Sequence, residues 1–123
     1  MKTYRLTDYG CDATAHEENG FFVIHAGSRF GDIRNPHDRM MRGYRDFLSR
    51  NGAFGADGLT LRGDERLLYA DEAARVVTGC LCDESSWIAE DGSRPTMLTP
   101  KWQRDIEILG RPDDPPHCID VSI

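Results

Sequence analysis

Six arginines, Arg29, Arg34, Arg39, Arg42, Arg45 and Arg50, fall within residues 28–50, where three aspartates oppose them. Guanidinium groups spaced along one helix can meet successive phosphates, and Ser28 with neighbouring backbone N–H groups can position the strand. Such contacts set register and give salt-dependent affinity without reading sequence. The same residues also suit a solvated helix face with pairs such as Arg42 with Asp46 or Asp38 with Arg42. Trp87 and Tyr69 offer faces on which a base can stack, and core packing is the alternative for both. The candidate nucleic-acid-binding set is therefore Ser28, Arg29, Arg34, Arg39, Arg42, Arg45 and Trp87.

Other chemistry-bearing residues are less well arranged. Cys80-x-Cys82 with His117-Cys118 supplies thiolate and imidazole ligands acceptable to zinc, but without the two-residue gap of a zinc knuckle. Cys11 and His16 are no better placed, so the four cysteines read as reduced thiols. His16-Glu17-Glu18 and Asp12 are acid–base groups beside an Asn19-Gly20 turn, where polar residues are expected in any case. His25, on an apolar strand, reads as a half-buried histidine. There is no Ser-His-Asp order, nucleophile elbow, phosphate loop or metal-protease helix. The expectation is a non-enzymatic protein with no metal and no cofactor.

The elements that must carry these residues follow from local pattern. Residues 2–8 alternate as a strand, with Tyr4 and Leu6 on one face, and Cys11–His16 is a second. Asn19-Gly20 is a two-residue hairpin signal launching Phe21–Ala26. Asn35-Pro36 turns the chain into a helix from about His37 to Arg50, whose Met40, Met41, Tyr44, Phe47 and Leu48 form one apolar stripe. Arg39, Arg42, Arg45 and Asp46 fall outside that stripe. Asn51-Gly52 closes the helix. Gly58–Arg62 and Arg66–Tyr69 read as strands around Gly63-Asp64, and Asp71 as the N-cap of a helix over 71–78 that Gly79 ends. Ser86–Ala89 and Thr96–Leu98 read as a hairpin about Asp91-Gly92. Thr99-Pro100 starts a last helix, with Trp102, Ile106 and Leu109 on one face, ending at Gly110. Residues 111–123 form a linker with an edge strand at Ile119–Ile123.

These elements make one α+β domain over residues 1–110: a twisted, mostly antiparallel sheet with two to three helices. A chain of 123 residues, 39% apolar and 29% charged, is large enough for one core and too apolar for disorder. No apolar run approaches the ~20 residues of a membrane span, and Met1–Leu6 lacks the hydrophobic segment of a signal peptide; a cytoplasmic location without a membrane partner is expected. The net charge of −6 argues against coating nucleic acid by bulk electrostatics. Its distribution is uneven: residues 28–50 balance to +3 (six Arg, three Asp) and residues 81–123 to −5 (nine acids, four bases).

Five pieces in order carry a resemblance. An apolar strand ends in Ala-Gly-Ser (Phe21–Ser28), and a helix carries Tyr44-Arg45, Leu48 and then Gly52. Asp57-Gly58-Leu59 follows, then Ala73-Ala74-Arg75-Val76-Val77-Thr78-Gly79, then Trp87 with Asp91-Gly92. This pattern over residues 20–98 resembles the small domain of unknown function appended to GIY-YIG nucleases and type I restriction-modification subunits, and the related RAMA (restriction enzyme adenine methylase associated) domain. The chain departs from the family at polar positions. Tyr69-Ala70-Asp71 stands where Ser-Pro-Ser is usual, Cys82–Ser86 where Asn-Gly is usual, and Ile88 where Lys usually follows the Trp.

The resemblance implies a recognition module of bacterial or phage origin tied to DNA modification or restriction, with DNA as a partner. The alternative is a small acidic protein-binding inhibitor, such as an anti-CRISPR, anti-restriction or immunity protein. Its partner would be a protein of a defence system, engaged through Asp105–Ile123.

Overall fold

The structure, a computed structural model, describes residues 2–96. Five strands form one sheet: β1 (Tyr4–Leu6), β2 (Ala13–Glu18), β3 (Phe21–Ile24), β4 (Glu65–Leu67) and β5 (Ile88–Ala89). Their order is β4-β3-β2-β1-β5, and every neighbouring pair is antiparallel. Two helices, α1 (Arg39–Arg50) and α2 (Ala70–Thr78), complete the α+β fold expected from the sequence.

The Asn19-Gly20 turn fixes the central register. Both residues have positive φ (50° and 82°), which matches the twist of the flanking strands and pairs Glu18 with Phe21 and His16 with Val23. Alternation then sorts the sheet into two faces. Tyr4, Leu6, Ala13, Ala15, Phe22, Ile24, Leu67 and Ala89 are buried on one, against Ala73, Ala74, Val76 and Val77 of α2. Arg5, Thr14, His16, Val23 and Arg66 lie on the other, cross-strand from one another.

Trp87 seals the core. It is fully buried, meets the Phe22 ring edge-on at 5.1 Å between centroids, and donates its indole N–H to the carbonyl of Ala70 at 3.1 Å. An apolar body with one satisfied donor is what burial of tryptophan requires.

Helix α1 starts at Arg39 rather than His37 because Asp38 caps it, accepting from the Met41 N–H at 3.1 Å. Met41 and Leu48 of the expected stripe are buried, Met40 and Tyr44 are half-buried, and Phe47 stays 51% exposed. Asp71 does not cap α2. The N-cap is Tyr69, and Asp71 sits buried in the first turn. At the other end Gly79 adopts φ 70°, and a Cβ there would collide with the carbonyl of Asp32 and come within 2.8 Å of the Ile33 Cα. Only glycine permits both the left-handed turn and this approach.

Two expected strands differ. Residues 58–62 form isolated bridges, Arg29 with Thr60 and Phe54 with Leu61, in place of a strand. Asp57 holds this loop by accepting from the N–H groups of Leu59 and Thr60 (2.9 Å each) and the Thr60 hydroxyl (2.6 Å). Residues 84–86 make a 3-10 turn before Trp87, and β5 pairs with β1 rather than with residue 96. The expected partner residues 97 and 98, the helix after Thr99-Pro100, the linker and the terminal strand lie outside the described residues.

Candidate nucleic-acid interface

Of the seven candidate residues, three are interior. Arg45 is 6% exposed and points into the protein. It donates Nε to the Val76 carbonyl at 2.6 Å and Nη2 to the carbonyls of Gly31 and Val77. Its guanidinium lies over the Phe30 ring, 5.0 Å from the centroid. These carbonyls belong to the last turn of α2 and to the loop against it, where a cation also meets the negative end of the helix dipole. Burial pushes the Arg45 pKa down to about 10, against an opposing pull from Asp32, so it stays charged at neutral pH. The expectation that Arg45 meets phosphate is therefore corrected: its donors hold the C-terminal end of α2.

Ser28 and Trp87 are corrected likewise. Ser28 is buried, accepting from the Thr14 N–H at 3.1 Å and facing the Thr14 carbonyl at 3.4 Å, which ties the end of β3 back to β2. Trp87 is in the core, the alternative open to it from the start, and offers no face to a base.

The remaining four, Arg29, Arg34, Arg39 and Arg42, are exposed. Arg39 and Arg42 lie one turn apart on α1 and line a groove of about 680 Å³. Its other walls include Ile33, Gly43, Ser49, Phe54 and an edge of Arg45. Gly43 leaves the floor open, since a Cβ there would meet nothing within 4 Å. The far wall ends at Gly58, in the loop that Asp57 pins; the three donors on that carboxylate hold its pKa down to about 2. Arg42 is anchored by a 2.8 Å hydrogen bond from Nη1 to the Pro36 carbonyl.

Neither expected ion pair of α1 forms as read. Asp46, at the groove wall, pairs with Arg50 at 2.7 Å. Asp38 turns inward to a bidentate pair with Arg75, at 2.8 and 3.0 Å, both side chains nearly fully buried. Arg34 follows Ile33 of the groove wall and carries its guanidinium 5.9 Å from the Tyr9 ring centroid. Arg29 sits apart, its backbone bridging Asp12 and Thr60.

The other constellations resolve as follows. Cys11, Cys80 and Cys82 are free thiols, and burial raises the pKa of each, Cys11 to about 12. His117 and Cys118 lie outside the described residues. Among the described residues no three His, Cys, Asp or Glu side chains gather as metal ligands. No helix there is long and apolar enough to cross a membrane.

The residues that carry the family-like pattern are largely scaffold. Leu48 and the stretch from Ala73 to Thr78 are buried, Trp87 fills the core, and Arg45 binds backbone carbonyls. Tyr44 donates to Glu65 at 2.9 Å. Comparison with known proteins gives no match: no family model, no curated protein and no solved structure is similar to this chain at a significant level.

Proposed function

We propose that the chain is a non-enzymatic recognition module that contacts the phosphates of nucleic acid along the α1 groove. The observation that carries this reading is the pair Arg39 and Arg42, exposed one turn apart on an open groove. Planar guanidinium groups suit phosphate oxygens, and Arg42 is pre-positioned by its bond to Pro36. Contacts of these arginines to phosphate set position and affinity rather than sequence preference. The tie to DNA modification or restriction rests on the resemblance alone.

Fluorescence anisotropy tests the reading, using unmodified duplex, adenine-methylated duplex and single-stranded DNA at several salt concentrations. Two to four phosphate contacts give a slope of log K against log salt of roughly −2 to −4 for duplex. Arg39→Glu plus Arg42→Glu abolishes that binding. Absence of binding at low salt would sink the reading.

A second reading, the acidic protein-binding inhibitor, is favoured by the exposed Phe47 on α1, which among the described residues meets the Tyr44 ring (6.1 Å), together with the net charge of −6. A protein partner of a defence system would then cover α1. The segment Asp105–Ile123 first assigned to that contact lies outside the described residues. Loss of complex on Phe47→Asp, with DNA binding absent, would establish this alternative.

A further inference from the structure

The outer face of the sheet carries a continuous polar chain that the groove does not use. The Thr14 hydroxyl lies 2.8 Å from His25 Nδ1, His25 Nε2 lies 2.7 Å from His16 Nδ1, and His16 Nε2 lies 3.2 Å from Glu18 Oε1. The two imidazole rings are 4.9 Å apart between centroids, and both are partly buried.

Donor and acceptor counting gives this chain a direction. An ionised carboxylate only accepts, so His16 donates Nε2–H to Glu18, and in the neutral ring its Nδ1 accepts. His25 then donates Nε2–H to His16, its Nδ1 accepts, and the Thr14 hydroxyl donates to it. In this neutral arrangement a single hydrogen lies between the two rings.

From this geometry we infer that the His16–His25 pair is an acid-sensitive lock across β2 and β3. One added proton is tolerated, because an imidazolium still donates to a neutral imidazole. The chain then runs the other way at its far end: His25 carries Nδ1–H toward Thr14, whose hydroxyl keeps its hydrogen and rotates to accept. A second proton is not tolerated, since both inner nitrogens would carry hydrogens and two cations would stand in contact. The lock opens, and the outer sheet face gains positive charge.

The charged groups around the pair come from three further directions. Glu18 of β2 closes the chain. Asp64, before β4, favours the charged His25, but burial and His16 outweigh it and lower the His25 pKa from 6.5. Arg66 of β4 is turned onto the Phe21 ring, and Arg5 of β1 pairs with Asp12 at 3.0 Å. None of these supplies a second carboxylate on the inner nitrogens.

The sign follows. A histidine whose pKa is lower in the folded chain takes up fewer protons than it does unfolded, so stability is full above pH 6.5 and declines as pH falls toward the folded value. The test is nitrogen-15 histidine NMR with thermal unfolding between pH 8 and pH 4.5, on the full chain and on His25→Gln and His16→Gln. The lock predicts both rings as neutral Nε2–H tautomers at pH 8, then stepwise, coupled titration. It also predicts a Tm that falls with acid by a few degrees more in the parent than in His25→Gln. In His16→Gln, His25 titrates closer to its ordinary value. Independent titration of both rings near 6.5, or an acid dependence unchanged in His25→Gln, would overturn the inference. The NMR arm on the parent chain reads the tautomers even where a variant fails to fold.

Discussion

Replacing Arg45 by Ala leaves the carbonyls of Gly31 and Val76 without this donor inside the protein, while that of Val77 keeps the Gly31 N–H. A buried acceptor stripped of its partner costs about 1–3 kcal/mol, and here the lost packing on Phe30 adds to it. We expect Arg45→Ala to lower stability by about 2–4 kcal/mol in urea unfolding, against less than about 0.5 kcal/mol for exposed Arg42→Ala. Equal, small effects would contradict the interior role. Trp87 is tested by its emission. In a Trp102→Phe background it should emit at short wavelength and resist quenching by acrylamide, with no change on adding DNA. Efficient quenching would place it at the surface. At this scale the sequence was least legible. Arg45 is polar and adjoins the apolar stripe, so helix periodicity alone assigned it to solvent; what buries it is a set of carbonyls supplied by a loop and a helix distant in sequence. The His16–His25 pair was within reach, because an Asn19-Gly20 turn with a two-residue loop sets the register that puts both rings on one face.

Among the elements, the junction of α1 and α2 carries the most. Asp38 caps α1 and in the same position accepts from Nε and Nη2 of Arg75 in α2, so one carboxylate fixes two helices. Removing one member of such a buried pair strands the other charge, and Asp38→Asn should cost about 3–5 kcal/mol. Joining it with Arg75→Met should restore part of that loss in a double-mutant cycle; strict additivity would show the two to be independent. Gly79→Ala forces a left-handed alanine against the Asp32 carbonyl, and the backbone strain alone is about 1–2 kcal/mol. The Asp57 loop adds a pH dependence. Its carboxyl, held down to about 2, stabilises the chain above its ordinary pKa of 3.8, and that contribution disappears as pH falls through 2. The stability difference between the parent and Asp57→Ala should therefore be present at pH 5 and vanish near pH 2. The strands, α1, α2 and the Gly79 stop were legible because alternation, helical spacing and turn glycines are local signals. The loop over residues 54–62 was not, because bridges to Arg29 and the hydrogen bonds of Asp57 replace a regular ladder there.

For the whole molecule, charge placement matters more than charge total. The chain is acidic by six units, yet the exposed arginines of residues 28–50 include two that face one groove while the aspartates beside them are committed to Arg50 and Arg75. The sequence made the basic stretch visible, but not which of its members reach solvent, since that depends on where α2 and the loop before α1 place their carbonyls. The measurement that tests the central claim most directly is amide chemical-shift mapping of the full chain during titration with a short DNA duplex at low salt. The account predicts shifts confined to Ile33, Arg39, Arg42, Gly43, Ser49 and the loop about Phe54 and Gly58, reversed by added salt. Shifts centred on the outer sheet face, or none at all, would contradict it.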